Sequence, residues 1–289
     1  MQRSDFIKIS SLGFLGLYSC GVSMAGNSRK PLGIQLYTVR DAVSDNLEKA
    51  LEKLAASGFT ELEIYGYNGT FFGRSRSEFQ KILNNTGLRV ISSHHTTGIM
   101  GLDKGTLLHD WEKSVEDLSF IGSRYMVCSY LFPEERTPEN YQKLPGLLER
   151  SGEVAKSGEI GFAYHNHDFE FEKMEGHQSV YDFILENSSP EHVKMELDLY
   201  WISKAGVDPL NYFEKHPGRF PLWHVKDMKA GNRDFTEIGN GTIDFKRIFG
   251  AKEKAGLKYW FLEQDSSDKD IFESIAISKK YILDHSYFK

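Results

Sequence analysis

Apolar and polar positions along the chain follow two different periods. Short runs rich in β-branched and aromatic residues recur eight times, and segments with apolar residues every three or four positions separate most of them. We predict a strand in each short run and a helix in each longer segment. The predicted strands are Leu32–Val39, Glu61–Tyr65, Arg89–Thr96, Arg124–Leu131, Gly161–Asp168, His192–Trp201, Pro221–Met228 and Tyr259–Gln264. The predicted helices are Asn46–Ala56, Ser77–Asn85, Trp111–Ile121, Tyr141–Ser157 and Phe245–Ala255.

Eight strands that alternate with helices predict a single α/β domain, a parallel (β/α)8 TIM barrel over residues 31–289. The glycines that suit the left-handed end of a helix are Gly58, Gly87, Gly122, Gly158 and Gly256. An open doubly wound sheet is the alternative. Such a sheet usually has a glycine-rich phosphate loop after its first strand, and residues 36–41 (LYTVRD) do not resemble one.

Residues 1–25 have the pattern of an export signal. Arg3 and Lys8 precede an apolar run, Ile9–Tyr18, that is too short to span a bilayer. Residues 23–25 (SMA) resemble a small-residue cleavage site, and residues 17–20 (LYSC) resemble a bacterial lipobox that would leave Cys20 lipidated. We therefore expect an exported protein, periplasmic or lipid-anchored in a Gram-negative bacterium. An amphipathic N-terminal helix of a cytosolic protein is the alternative.

The composition is that of a globular protein, with 40% hydrophobic and 26% charged residues among 289. The net charge of −6 and the lack of a basic block argue against a nucleic-acid partner. No apolar run is long enough for a membrane span. Cys128 lies in an apolar run, and without Cys20 it has no partner for a disulfide, so we expect a small buried hydrophobic residue.

Four successive predicted strands, the fifth to the eighth, carry potential metal ligands near their carboxyl ends. His165, Asp198, His224 and Glu263 supply two imidazoles and two carboxylates. Because the carboxyl ends of barrel strands meet at one face, these groups are expected to converge. Glu196 shares a strand face with Asp198, because side chains two positions apart point the same way. The donor set predicts one divalent ion, Mn, Zn, Co or Fe rather than Ca or Mg.

Five segments in this part of the chain carry a resemblance to a known family. They are residues 164–171 (YHNHDFEF), 197–201 (LDLYW), 224–227 (HVKD), 239–245 (GNGTIDF) and 262–265 (LEQD). Together they resemble the xylose isomerase-like barrel superfamily, the sugar phosphate isomerase/epimerase group. The resemblance implies one divalent metal held by a residue on each of strands five to eight. Asp198, His224 and Glu263 match these positions.

The fifth strand departs from the epimerase pattern. Epimerases of this group have Glu there, paired with the Glu of the eighth strand as the two proton-transfer bases, whereas this chain has His165. The run from His165 to His167 is more similar to the inosose dehydratase side of the group.

The resemblance implies removal of a proton beside a sugar carbonyl, with the cation stabilising the enediolate. Glu263 is the first candidate for the base or acid, and His167 is the second. Lys226 is placed to hold a developing oxyanion or a substrate hydroxyl. The candidates for contacts with the sugar are Lys226, Glu63, His94 and Trp201.

Three other functions remain open at this point. A lyase or dehydratase would form the same enolate on a keto-sugar or 3-keto-glycoside and then expel a leaving group. A non-catalytic periplasmic sugar-binding protein would bind the sugar without metal. A DNA-repair endonuclease shares the barrel, but the export signal and the acidic charge oppose it. The sugar, the identity of the metal and the oligomeric state are left open by the sequence.

Overall fold

The computed structural model describes residues 31–101, 103–174 and 178–288. Eight parallel strands form a closed barrel, in which the first strand pairs with both the second and the last. The barrel strands are β1 (Gly33–Gln35), β2 (Glu61–Ile64), β3 (Arg89–Thr96), β4 (Tyr125–Tyr130), β5 (Gly161–His165), β6 (Lys194–Asp198), β7 (Leu222–Val225) and β10 (Tyr259–Leu262). A separate antiparallel pair consists of β8 (Asp227–Met228) and β9 (Phe235–Thr236). The predicted (β/α)8 barrel is confirmed.

The helices surround the barrel and bury their apolar faces against it. They are α1 (Arg40–Asp45), α2 (Leu47–Ala56), α3 (Arg76–Thr86), α4 (Trp111–Phe120), α5 (Pro138–Ser157), α6 (Val180–Asn187), α7 (Leu199–Lys204), α8 (Pro209–Lys215), α9 (Phe245–Phe249), α10 (Lys252–Ala255) and α11 (Ile271–Asp284). Side-chain oxygens at the N-cap accept free backbone N–H groups of the first turn in many of them. In α3, Ser75 and Glu78 form a reciprocal capping box.

The barrel closes at a glycine. Gly33 of β1 pairs with Phe261 on one side and with Glu61 on the other. A Cβ atom at this position would lie 2.5 Å from the backbone oxygen of Trp260, which is far inside van der Waals contact. The first and last strands can approach this closely because residue 33 has no side chain.

The interior of the barrel changes from apolar to polar along the strands. An apolar layer fills its lower part, formed by Ile91, Val127, Ala163, Leu222 and Phe261. Two residues further along three of these strands lie His165, His224 and Glu263. Since side chains two positions apart in a strand share a face, these three point into the same interior, nearer the carboxyl ends.

Most of the predicted strands are shorter in the structure, and two of them end where a side-chain cap begins a helix. The first ends at Gln35, whose side chain accepts the N–H of Tyr37 and begins a 3₁₀ helix over Leu36–Val39. The sixth ends at Asp198, whose carboxylate accepts the N–H groups of Tyr200 and Trp201 and so begins α7. Trp201 therefore lies in a helix and not in a strand. In both cases the hydrogen bonds of a capping side chain begin a helix where the β-rich composition predicts that the strand continues.

The predicted helix over 245–255 is also interrupted, because α9 ends before Gly250 and α10 begins at Lys252. Gly58, Gly87, Gly122 and Gly256 have the expected left-handed conformation, but Gly158 does not, and Glu159 adopts it instead. Gly158 is constrained by packing, because a Cβ atom there would lie 2.3 Å from Val115 Cγ1.

The predicted export signal and Cys20 lie outside the described residues. Within the described ranges, no helix combines the length and apolar character needed to cross a membrane. Cys128 is fully buried in the core, as predicted.

The loop after β7 is organised by one carboxylate. Asp227 accepts backbone N–H groups from Met228, Gly239, Gly241 and Ile243, at 2.8 to 3.2 Å. This holds the glycine-containing segment 239–243 against the barrel mouth.

We expect Asp227→Ala to lower the free energy of unfolding by about 2–4 kcal/mol, because several buried N–H groups lose their acceptor. Urea denaturation measures the change. Asp268→Ala is the control, since Asp268 pairs with Lys229 in an exposed ion pair and its removal should have no measurable effect. Equal stability of the two variants would contradict the role assigned to Asp227.

Candidate active site and metal centre

Ionisable side chains fill the carboxyl end of the barrel in two layers. The inner layer, nearer the apolar layer in the lower part of the barrel, contains Glu63, His94 and Glu196, whose side chains are largely or fully buried. The outer layer, nearer the opening, contains Asp198, Lys226, Glu263 and Asp265. His165 and His224 contact both layers.

His224 is the fully buried centre of this arrangement. Its Nδ1 lies 2.5 Å from Glu263 Oε2 and 3.9 Å from Asp198 Oδ2, both in the outer layer. Its Nε2 contacts Glu63 Oε1 and lies 3.3 Å from Glu196 Oε2, both in the inner layer. One ring therefore connects four carboxylates.

Lys226 provides the positive charge of the outer layer. Its Nζ lies 2.7 Å from Glu263 Oε2, 3.0 Å from Asp198 Oδ2 and 3.1 Å from Asp265 Oδ2. Burial alone would lower the pKa of Lys226, but the three carboxylates raise it well above its usual value. Burial alone would raise the pKa of Glu263, but Lys226 and His224 lower it far below. Both groups are therefore charged at neutral pH.

The inner layer is joined by histidines and one amide. His94 Nε2 lies 2.9 Å from Glu63 Oε1 and 2.8 Å from Glu196 Oε2. His165 Nδ1 lies 3.1 Å from the same oxygen of Glu196, and Gln35 donates its Nε2–H to Glu63 Oε1 at 2.8 Å. The inner layer is thus a continuous network of hydrogen bonds.

The carboxylates of Glu63 and Glu196 determine the pKa of His94. Burial by itself would lower the pKa of His94, but Glu63 and Glu196 raise it to about 9. The pKa of Glu196 is raised by its burial and by the nearby charge of Glu63. His165 shows the opposite result, because burial and the neighbouring His224 lower its pKa well below the usual value.

Two overlapping groups have donor atoms close enough to hold a metal ion. One consists of Asp198, His224 and Glu263, and the other of His94, His165, Glu196 and His224.

The group of Asp198, His224 and Glu263 fits a divalent cation on two grounds. Asp198 Oδ2 is buried and forms no hydrogen bond with any described residue, although Lys226 Nζ is near it. The outer layer also has three carboxylates and a single lysine, so a divalent charge would balance it. His165 Nε2, 3.7 Å from Asp198 Oδ2, offers a fourth donor.

A cavity of about 900 Å³ opens above the outer layer. The ionisable groups that reach it include Lys226, Glu263, Asp265, His165 and His167. Aromatic side chains form much of its wall, among them Tyr37, Tyr65, Tyr130, Phe169, Trp201 and Phe235. Carboxylates and imidazoles at the floor of an aromatic cleft are typical of a binding site for a polar molecule with apolar faces.

His167 occupies the cavity wall beyond the end of β5. Its ring is stacked against Phe169, with centroids 5.8 Å apart, and packs against Trp201 at 5.2 Å. Its Nδ1 has no hydrogen-bond partner among the described residues. Its backbone N–H donates to the buried carboxylate of Glu170 at 2.8 Å, which fixes this turn.

The structure brings most of the sequence-predicted residues into this region. Asp198, His224 and Glu263 lie together, and Lys226, His165, His167 and Trp201 adjoin them. His94 reaches the cavity wall, but its Nε2 is held between two carboxylates. Glu63 lies in the inner layer beneath the cavity, bonded to histidines and Gln35, and so is poorly placed to contact a sugar.

Glu196, Asp265 and Gln35 lie in the site but have no role among the sequence predictions, although Glu196 was placed on the same strand face as Asp198. Glu196 lies two positions before Asp198 and Asp265 two positions after Glu263, so strand periodicity alone indicates that each shares a face with a predicted ligand. No comparable signal distinguishes Gln35, since its role depends on the pairing of β1 with β2.

Residues 33–281 match the family model of the xylose isomerase-like TIM barrel, and the chain belongs to this family. Among its relatives is an inosose dehydratase of Geobacillus thermodenitrificans, 25% identical over 273 residues that cover 81% of this chain and 88% of the relative. A sugar phosphate isomerase/epimerase from Parabacteroides distasonis has a similar crystal structure, with a TM-score of 0.79 and 27% identity, covering 92% of this chain and 97% of that one. The IOLI protein, crystallised with a zinc atom, shares the fold at a TM-score of 0.69 and 15% identity, covering 88% of this chain and 97% of that one.

We expect Lys226→Met to destabilise the metal-free protein by about 3–5 kcal/mol, because three outer-layer carboxylates lose their counter-charge. Chemical denaturation in the presence of a chelator measures this change. Lys229→Met is the matched control, since Lys229 pairs with Asp268 at the surface. The interpretation fails if the two variants unfold at the same denaturant concentration.

Proposed function

We propose that this protein is a divalent-metal-dependent sugar isomerase or epimerase that removes a proton beside a carbonyl. The convergence of Asp198, His224 and Glu263 at the floor of the cavity carries this proposal. The relatives named for isomerase, epimerase and dehydratase activities on sugars and inososes support the substrate class.

His165, Asp198, His224 and Glu263 are the residues that would hold the cation. A bound divalent ion supplies Lewis-acid stabilisation of the negative charge that develops on sugar oxygens. Two imidazoles with two carboxylates suit Mn, Zn, Co or Fe.

Two cavity-lining groups are candidates for the proton transfer. Glu263 is ionised and reaches the cavity, but its contacts with Lys226 and His224 make it a weak base. His167 also reaches the cavity, and burial keeps its imidazole neutral by lowering its pKa. A neutral imidazole has a free lone pair that can accept a proton, but the lowered pKa makes His167 a weak base as well, so basicity alone does not choose between the two groups.

Other residues are placed to hold the sugar. The Lys226 ammonium can stabilise an oxyanion or bind a hydroxyl group while remaining close to Glu263. The rings of Trp201 and Phe235 lie beside Lys226, with their centroids 5.7 Å apart, and offer apolar surface to a sugar face. His94 lines the cavity beside His165 and His224, with ring centroids 5.3 Å from each.

A lyase or dehydratase is the second candidate, and two observations favour it. The fifth strand has His165 where a two-base epimerase requires a carboxylate, and an inosose dehydratase is among the relatives. The same enolate would then expel a β-leaving group from a keto-sugar or a 3-keto-glycoside.

We also propose that the protein acts after export. The signal-like segment 1–25 supports this, and export would favour an unphosphorylated substrate. Fractionation of cells that express the full chain, with mass analysis of the mature N-terminus, distinguishes a lipid anchor at Cys20 from a free periplasmic protein.

We expect the metal-loaded protein to exchange a sugar C–H for deuterium in ²H₂O, and chelation to abolish the exchange. Glu263→Gln and His167→Asn should each be assayed on a panel of sugars and 3-keto-glycosides. Loss of the true base should lower kcat by about 10²–10⁴-fold. Glu172→Gln, which changes an exposed carboxylate, serves as the control.

The products separate the alternatives. A rearranged sugar of unchanged composition supports the isomerase or epimerase, whereas loss of water or an aglycone supports the lyase. Sugar binding that needs no metal and survives Glu263→Gln would instead indicate a non-catalytic binding protein. Cleavage of abasic DNA would favour the DNA-repair endonuclease over the sugar enzymes.

A further inference from the structure

His165 and His224 each place their two ring nitrogens in different layers of the site. One nitrogen faces a carboxylate of the inner layer and the other faces a carboxylate of the outer layer. A histidine that binds a metal usually donates its other N–H to an oriented acceptor, which fixes the ring and its tautomer.

On the basis of the proposed metal site, we propose that Glu63 and Glu196 are positioning residues that select the metal-binding nitrogen of His224 and His165. The inner carboxylates accept N–H from His224 Nε2 and His165 Nδ1. This leaves His224 Nδ1 and His165 Nε2 as the two donor atoms for the cation.

The two rings require opposite tautomers. Both nitrogens of His224 lie beside carboxylate oxygens, Nε2 beside Glu63 and Nδ1 2.5 Å from Glu263. With a cation bound at Nδ1, the proton would remain on Nε2. His165 Nδ1 lies 3.1 Å from Glu196 while its Nε2 lies 3.7 Å from Asp198, so the proton belongs on Nδ1. A carboxylate is a stronger acceptor than a carbonyl group and also increases the electron density of the ring it contacts.

The inner carboxylates are themselves held in place. His94 Nε2 lies within 2.9 Å of both Glu63 and Glu196 and joins them. Gln35 donates a second hydrogen bond to Glu63. Glu63 and Glu196 are fully buried, so water does not compete for these contacts.

An ion bound in the inner layer is the alternative, because donor atoms of His94, His165, Glu196 and His224 converge there. However, each inner-facing ring nitrogen already lies beside a carboxylate oxygen. The ring nitrogens therefore share one oxygen of each inner carboxylate, Glu63 Oε1 and Glu196 Oε2, and this pairing favours a positioning role, although Glu63 Oε2 and Glu196 Oε1 have no hydrogen-bond partner among the described residues. Glu63 and Glu196 also do not line the cavity, whereas Glu263 and Lys226 do.

Metal affinity tests this proposal independently of activity. The metal-free wild-type protein, Glu63→Gln and Glu196→Gln would be titrated with Zn²⁺ in competition with a chromophoric chelator. Each Gln keeps the size and an acceptor oxygen but loses the charge, and we expect Zn²⁺ affinity about 10–100-fold weaker. Glu61→Gln is the matched control on the same strand, because Glu61 pairs with Arg89 at the opposite end of the barrel and should leave the affinity unchanged.

Nitrogen-15 NMR of the wild-type protein loaded with Zn²⁺ gives a second readout that needs no variant to fold. We expect one Zn²⁺ per chain, bound to His224 Nδ1 and His165 Nε2, with protons retained on His224 Nε2 and His165 Nδ1. Unchanged affinity in both Gln variants, a metal-bound His224 Nε2 or a second ion in the inner layer would overturn the proposal. Failure of the wild-type protein to bind any divalent ion would instead overturn the proposed function, and this inference with it.

Discussion

The mouth of the barrel buries more negative charge than its lysine can neutralise. Carboxylates from two strands and from the segment after the last strand face each other there: Glu63, Glu196, Asp198, Glu263 and Asp265. In the described part of the chain, Lys226 is the ammonium group among them. Isolated buried charges cost several kcal/mol each, so the side chains can occupy this volume only in an arrangement that pairs them. His224 supplies that arrangement, because its two nitrogens contact carboxylates of both layers.

Backbone geometry holds the charged groups where this pairing needs them. Asp198 ends β6 and begins α7, and its Oδ1 accepts the N–H groups of Tyr200 and Trp201. Its own N–H donates to Asn166 Oδ1. The helix cap therefore uses one carboxylate oxygen and leaves Oδ2 beside Lys226. The start of a helix thus sets the direction of a candidate metal ligand and places Trp201 at the cavity wall.

The sequence allowed the barrel and the outer layer apart from Asp265 to be predicted, because both depend on regular periods. Alternation along a strand relates His224 to Lys226 and Asp198 to Glu196, and barrel geometry gathers strand ends at one face. The inner layer depends on pairing between distant strands, where the register shifts, as between β2 and β3 at Leu62 and Glu63. No local pattern shows that His94 of β3 reaches Glu196 of β6, so Glu63 was expected to bind substrate although it lies beneath the cavity.

The distribution of bases also bears on the kind of reaction. A symmetric epimerase needs a base on each side of the reacting carbon, whereas His165, at the fifth strand, is held between Glu196 and Asp198. Glu263 is stabilised as an anion by Lys226 and His224, which weakens it as a base. His167 also lines the cavity wall, its Nδ1 has no hydrogen-bond partner among the described residues, and it follows the strand rather than belonging to it. Glu263 and His167 differ in chemistry and lie at different positions around the cavity. Such a pair suits removal of a proton at one carbon followed by protonation or elimination at a neighbouring atom. This asymmetry supports an isomerase or a lyase over inversion at a single carbon.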